Sequence, residues 1–302
     1  MSADSKPAVL EIRGLTKYYS HTDTPALRDV SLTVREGQHL GLVGANGSGK
    51  TTLMRCVVGL VSFRQGEIHT GQGDAYPDFS RQIGYVAEVQ EGLENFTCRE
   101  LLQYAGQMQG MPANEIEQRI KELLEWTRLE NRADELVGGF SKGMVQKTAL
   151  ACALIHRPKV LLLDEPMNGL DPEARRRLRD LLLELENVTL LLASHNLDEV
   201  ERICQRIVIL KDGKIKGDID LQADAAEVFS FRVNEEIEEM LERVSGLQIS
   251  DKLRVASGWQ YELQAASQDM QQLLSELGKR GISISGLRST TRLESLYDKY
   301  VK

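Results

Sequence analysis

The run Gly44-Ala45-Asn46-Gly47-Ser48-Gly49-Lys50-Thr51 follows directly on the apolar stretch His39-Leu40-Gly41-Leu42-Val43 and opens a helical pattern. A strand, a glycine-rich turn and a helix in that order leave few folds open. The spacing G-x-x-x-x-G-K-[ST] describes a loop whose backbone N–H groups turn inward on a phosphate. Gly44, Gly47 and Gly49 permit the turn, with Asn46 and Ser48 between them, and the helix N-terminus adds a positive partial charge. Lys50 is placed to reach the β- and γ-phosphates, Thr51 offers a hydroxyl to Mg²⁺, and Thr52 continues the run. A nucleoside triphosphate is the ligand this spacing implies. Many unrelated enzymes share it, so other segments must decide among them.

Four such segments follow in order: Glu88 after Ile83-Gly84-Tyr85-Val86, then Phe140-Ser141-Lys142-Gly143-Met144, then Leu161-Leu162-Leu163-Asp164-Glu165-Pro166, then Ala193-Ser194-His195. Val160 to Leu163 reads as a fully buried parallel strand. Adjacent carboxylates at its end are costly to bury unless a cation or a proton shares the site. With these motifs in this order, the chain resembles the nucleotide-binding subunit of an ATP-binding cassette (ABC) transporter over about residues 8 to 217. The Ser-Lys-Gly-Met signature and the acidic Glu88 are similar to the ABC-2 type export group.

The resemblance implies a fold and roles. The fold is α/β: a P-loop NTPase cassette with a RecA-like core, an antiparallel β subdomain and a helical subdomain at about 89–157. By the same resemblance Asp164 positions Mg²⁺ with Thr51, Glu165 polarises the water that attacks the γ-phosphate, and His195 contacts that phosphate. Tyr19 matches the aromatic that stacks on adenine. Ser141, Gly143 and Asp171 belong to signature and D-loop segments that meet the ATP of a second subunit, giving a homodimer around two ATP molecules. The implied partner is an integral-membrane permease, with this subunit peripheral on the cytoplasmic face. Departures from the family pattern are also visible. Glu88 stands where glutamine is usual; a carboxylate can still bind Mg²⁺, so Glu88 is expected among the metal residues with Thr51 and Asp164, but it cannot donate a hydrogen bond when ionised. Lys142 and Met144 replace glycine and glutamine, and Met167-Asn168 stand where threonine and serine are common.

Composition narrows the alternatives. With 41% hydrophobic residues in 302, the chain can bury a sizeable core. Its net charge of −8 and the lack of any Lys/Arg-rich block argue against a nucleic-acid surface. The four cysteines lie far apart, with no C-x-x-C pair, as expected of reduced thiols in the cytosol. No leader-like N-terminal pattern appears, and no apolar run approaches the ~20 residues that span a bilayer.

Elsewhere, Val9 to Ile12 and Leu27 to Val34 alternate as half-buried strands, and Thr97-x-x-Glu100 reads as a helix capping box. Ile116, Ile120, Leu123 and Leu124 recur at helical spacing after Pro112. Asp171-Pro172 reads as an N-cap and first helical residue. Residues 218–226 read as a linker and 227–302 as a ferredoxin-like α+β domain, βαββαβ, with helices at 235–244 and 268–278 and a short one through Leu293 and Tyr297. Two other functions stay open at this stage: a soluble, non-transport cassette ATPase and a nucleotide-gated module that turns over poorly because of Glu88.

Overall fold

The structure, a computed structural model, describes residues 6–20, 22–69, 82–185, 187–221, 227–241, 244–255, 258–290 and 297. Strands β1 (Ala8–Lys17) and β2 (Leu27–Arg35) bury alternate side chains, Leu10, Ile12 and Leu15 facing inward with Leu27, Val30 and Val34. They pair antiparallel. Strand β3 (His39–Val43) is buried along its whole length and leads through the glycine-rich loop into α1 (Lys50–Val57). Strand β4 (Gln65–His69) returns to the free edge of β1, giving a three-stranded sheet ordered β2-β1-β4.

After β5 (Ile83–Val86) come three helices, α2 (Cys98–Met108), α3 (Ala113–Thr127) and α4 (Lys142–Leu154). Helix α2 starts where the capping box lies: the Thr97 hydroxyl accepts from Glu100 N–H, and Thr97 N–H donates to the Glu100 carboxylate. Pro112 caps α3 instead of entering it, and α3 buries the expected stripe Ile116, Ile120, Leu123 and Leu124. The chain then runs through β6 (Val160–Asp164), α5 (Pro172–Leu183), β7 (Thr189–Ser194), α6 (Leu197–Ile203), β8 (Arg206–Lys211) and β9 (Lys214–Asp220).

The second sheet has six strands ordered β5-β6-β7-β3-β8-β9, the first five parallel in pairwise register. Parallel strands covered on both faces read as apolar runs, and β6 and β7 have no exposed residue. This order brings the C-terminal ends of β3, β6 and β7 together, Val43 opposite Ser194 and Asp164 opposite Ala193. A ligand is expected at such an edge, where loops leave the strand ends.

The motif reading passes over β4, β8 and β9. A signal for the last two was present: Ile207 to Leu210 is an apolar run, and Asp212-Gly213 joins it to β9 with both residues at positive φ, a two-residue hairpin turn. Strand β9 also runs through Asp220, so chain read as linker is partly strand; 222–226 lie outside the described residues.

The chain packs as two units, Met1–Ile219 and Asp220–Lys302. In the second, β10 (Glu227–Val233), α7 (Glu238–Leu241), β11 (Gln248–Val255), β12 (Gly258–Ala265), α8 (Ser267–Lys279) and β13 (Ile284–Thr290) form an antiparallel sheet ordered β11-β12-β10-β13. Phe229, Phe231, Tyr261 and Leu263 pack with Met240, Leu241, Met270, Leu273 and Leu277 into its core. Among the described residues α7 is one turn, shorter than the 235–244 reading. The Ile237 N–H is taken by the buried Tyr261 hydroxyl at 3.2 Å, and the Ile237 carbonyl starts the helix by accepting from Met240 and Leu241. The short helix expected through Leu293 lies outside the described residues, apart from Tyr297.

Candidate functional site

The glycine-rich loop is built against backbone. A Cβ on Gly44 would stand 2.2 Å from the Leu210 carbonyl oxygen, and Gly49, at φ +111°, would bring one to 2.8 Å from the Ala26 oxygen. At Gly44 the close approach alone demands glycine, and at Gly49 the conformation does so as well. At the first turn of α1, Lys50 is 5% exposed. Its ammonium donates to Gly44 O at 2.7 Å and Ala45 O at 3.3 Å, and lies 3.4 Å from Glu165 Oε1. The Thr51 hydroxyl donates to Asp164 Oδ1 at 3.1 Å. Two carboxylates from the end of β6 therefore face the lysine and hydroxyl that begin α1.

Glu165 adopts φ +47°, a left-handed conformation that costs a residue with a Cβ about 1–2 kcal/mol. Backbone bonds hold it there: its N–H donates to Ala193 O at 2.9 Å, and its carbonyl accepts from Asn168 N–H at 3.0 Å. Strain of this kind persists where surrounding structure over-determines it. The turn aims the Glu165 carboxylate back toward Lys50 and toward His195, whose Nδ1 lies 2.9 Å from Glu165 Oε2. His195 stands just past the end of β7, half exposed.

Asp164 is buried, and burial raises its pKa above the usual carboxylate value; Glu88 and Glu165 push the same way, while the Thr51 hydroxyl and Lys50 oppose them. Asp164 Oδ2, Glu165 Oε1 and Ser48 Oγ are buried without hydrogen-bond partners. Unspent oxygen lone pairs beside a hydroxyl form an all-oxygen donor set, which suits a hard cation such as Mg²⁺. Among the described residues no three His, Cys, Asp or Glu side chains converge on a metal position. A cation bound with a nucleotide does not need them, since phosphate oxygens and waters supply most of its ligands.

The remaining sequence candidates fall around this centre. Tyr19 is 41% exposed, its hydroxyl 3.3 Å from Thr52 Oγ1, with the Lys17 ammonium 5.0 Å from its ring centroid. Asn46 and Gly47 are exposed on the loop. Ser141 caps α4, its hydroxyl accepting from Met144 N–H, and it stands exposed with Gly143 behind it. Asp171 caps α5 by accepting from Glu173 and Ala174 N–H, bonds that lower its pKa, Ala174's most. A Cβ on Gly143 would meet Ala174, and one on Gly169 would meet the Lys142 ammonium, so the starts of α4 and α5 are neighbours. No hydrogen bond among the described residues joins Ser141 or Gly143 to the glycine-rich loop. Glu88 is exposed and accepts from the Asn168 side-chain amide at 3.0 Å.

Sequence motifs did not single out Glu199 on α6 or Arg175 on α5. Glu199 is half-buried; burial raises its pKa and the nearby Glu165 adds to this, while Arg175, His195 and Ser194 oppose it. The Arg175 guanidinium lies 3.6 Å from Glu199 Oε1. The spacing His195-x-x-x-Glu199 on a helix start was the available signal.

A groove of about 440 Å³ lies elsewhere in the same unit, lined by Leu60, Tyr85, Leu101, Tyr104, Cys152 and His156 among others. Of these, Leu60 and Tyr104 are each more than 60% exposed. Large apolar side chains grouped at a concavity mark an interaction surface. Among the described residues no helix is long and apolar enough to cross a membrane.

Comparison with known proteins gives a consistent result. A family model described as ABC transporter matches residues 27–168. The uncharacterized ABC transporter ATP-binding protein YxlF of Bacillus subtilis is 34% identical over 302 residues, covering 97% of this chain and 99% of its own length. The Nod factor export ATP-binding protein I of Rhizobium meliloti is 41% identical over 218 residues, 69% of this chain and 64% of its own. Among solved structures, the dimeric ATP-binding cassette MJ0796 in a post-hydrolysis state with ADP and Pi superposes with a TM-score of 0.63 at 26% identity, covering 70% of this chain and 98% of its own.

Proposed function

This chain belongs to the ABC transporter family as an ATP-binding, ATP-hydrolysing subunit, and from that premise we propose how its own residues do the work and what it works with. Lys50 and the N–H groups of residues 44–51 hold the phosphates, and the adenine stacks on Tyr19, next to Thr52. Thr51 and Asp164 would hold Mg²⁺, which when bound neutralises phosphate charge and orients the γ-phosphate.

Glu165 is the general base. It takes a proton from water as the oxygen attacks the γ-phosphorus, and the bond to the bridging oxygen of ADP breaks. The observation that carries this role is the placement of one carboxylate between the lysine of the phosphate loop, at 3.4 Å, and His195, at 2.9 Å. His195 orients Glu165 and contacts the γ-phosphate.

Ser141 and Asp171 are exposed, with Gly143 half-buried beside them, and none is bonded to the phosphate loop of its own chain, as fits a site completed by a second copy. Two copies then close around two ATP molecules, as the cassette MJ0796 is dimeric in its post-hydrolysis state. The partner is a membrane permease on whose cytoplasmic face this subunit sits. The apolar groove beside α2 takes a segment of the permease, and the Nod factor export relative supports export as the direction. A Glu165→Gln protein, recovered from solubilised membranes with ATP and Mg²⁺, is expected to carry a polytopic membrane protein with it. Recovery of ribosomal or purely soluble partners would overturn the transport reading and leave the ATPase standing.

A further inference from the structure

Two oxygens on neighbouring strands are buried without hydrogen-bond partners: Tyr85 Oη on β5 and Asp164 Oδ2 at the end of β6. Native structures leave few such atoms unsatisfied, so each needs an explanation.

Strand register brings the two together. Strands β5 and β6 run parallel with Tyr85 opposite Leu162. Side chains alternate along a strand, so Tyr85, Leu162 and Asp164 share one face of the sheet. Helix α1 covers that face. Thr51 in its first turn donates to Asp164 Oδ1 at 3.1 Å, and Arg55 stands one turn further along the same side of the helix. The Tyr85 ring packs against the core here, and its hydroxyl lies within reach of both Arg55 and Asp164 without being aligned on either. Burial raises the Tyr85 pKa, and the Asp164 carboxylate raises it further, while Arg55 opposes them. The phenol therefore keeps its proton at neutral pH and has an O–H to donate.

The chemistry of the three groups is complementary. A guanidinium only donates, an ionised carboxylate only accepts, and a phenol does both. Through the phenol, one order of donation suits them: Arg55 to Tyr85, and Tyr85 to Asp164.

We propose that Tyr85 is a positioning residue for the metal carboxylate, its O–H donating to Asp164 Oδ2 and so keeping Oδ1 turned toward Thr51. The inference deepens the reading of Thr51 and Asp164 as the Mg²⁺ residues and rests on it. Carboxylates that bind a metal are themselves hydrogen-bonded, and losing such an outer partner lowers metal affinity by about 10- to 100-fold. Tyr85 is assigned no phosphate contact, so loss of its hydroxyl falls on the metal and spares metal-free nucleotide binding.

The test is titration calorimetry of ATP into the full chain carrying Glu165→Gln, which keeps ATP intact, once with excess Mg²⁺ and once with EDTA. Tyr85→Phe keeps the ring that packs against the core and removes only the hydroxyl. It is expected to weaken ATP binding roughly tenfold with Mg²⁺ while changing the Kd in EDTA by less than about twofold. Asp164→Asn replaces the carboxylate being positioned, so adding Tyr85→Phe to it should cost nothing further.

The proposal is overturned if Tyr85→Phe binds ATP with Mg²⁺ as tightly as the parent. Equal weakening in EDTA also overturns it, for then the hydroxyl serves the scaffold; so does an effect of Tyr85→Phe that persists in Asp164→Asn. Asp164→Asn alone separates the two layers: a Mg²⁺ effect left intact there removes the metal reading itself, and the proposal with it.

Discussion

At the scale of single residues, the site works by holding charges where each alone would be unfavourable. Lys50 is buried with two loop carbonyls and Glu165 as its company, so Lys50→Ala removes the ammonium that phosphates meet. ATP binding is expected to fall below detection by titration calorimetry, with the fold retained. Glu165→Gln keeps the shape of the turn and loses the base, so turnover falls by about 10²- to 10⁴-fold while ATP stays bound. Glu165→Gly makes a different point. Beside Glu165→Ala, which removes the same carboxylate, it relieves the positive φ of +47°, so chemical denaturation should show the glycine variant more stable than the alanine variant by about 1 kcal/mol, and both inactive. A loss of stability instead would mean that the turn is unstrained. Sequence named most of these side chains because chemistry restricts their type and spacing. It did not reveal that Glu88 meets Asn168, since the two follow different strands 80 positions apart; the spacing of His195 and Glu199 was legible but belonged to no motif.

At the scale of elements, caps and buried histidines decide how firmly the scaffold holds the site. Thr97→Ala removes the reciprocal bonds that start α2, and a loss of about 1 kcal/mol is expected in denaturant titration. His39 opens β3 and lies 3.2 Å from the Ile203 carbonyl that ends α6; His156 follows α4, its Nε2 3.2 Å from the Ile83 carbonyl on β5. Burial lowers the pKa of both from 6.5, against their backbone contacts. The unfolded chain therefore takes up protons first, so these residues cost nothing above pH 6.5 and destabilise the fold as pH falls from there toward their folded values. Melting temperatures measured from pH 7.5 to 5.5 should fall on acidification, and more shallowly in His39→Gln/His156→Gln. Strands buried on both faces, such as β6 and β7, were legible as apolar runs. The start of α7 at Glu238 instead of 235 was not, because the Tyr261 hydroxyl that occupies the Ile237 N–H comes from a strand more than twenty residues later.

At the scale of the whole molecule, two units with separate cores predict separable stability. A chain ending at Ile219 should bind ATP within about threefold of the full protein. Aggregation or loss of nucleotide binding would show that the second unit supports the first. The order of motifs announced the cassette, whereas the pairing of strands was invisible in it, because register across a sheet depends on partners distant in the chain. Strand β3 illustrates this: it pairs with β7 and β8, whose residues come roughly 150 or more positions later. During synthesis at about 5–20 residues per second, the finished loop sequence therefore leaves the ribosome ~8–30 seconds before the strands that flank it exist. For that interval the nascent chain exposes an apolar strand without its neighbours, and ATP, however abundant, has no completed cradle with which to stabilise it. The nucleotide can reward this fold only after β8 has been added, through Lys211, which makes the protection of β3 in the growing chain until then a task for chaperones and not for ligand.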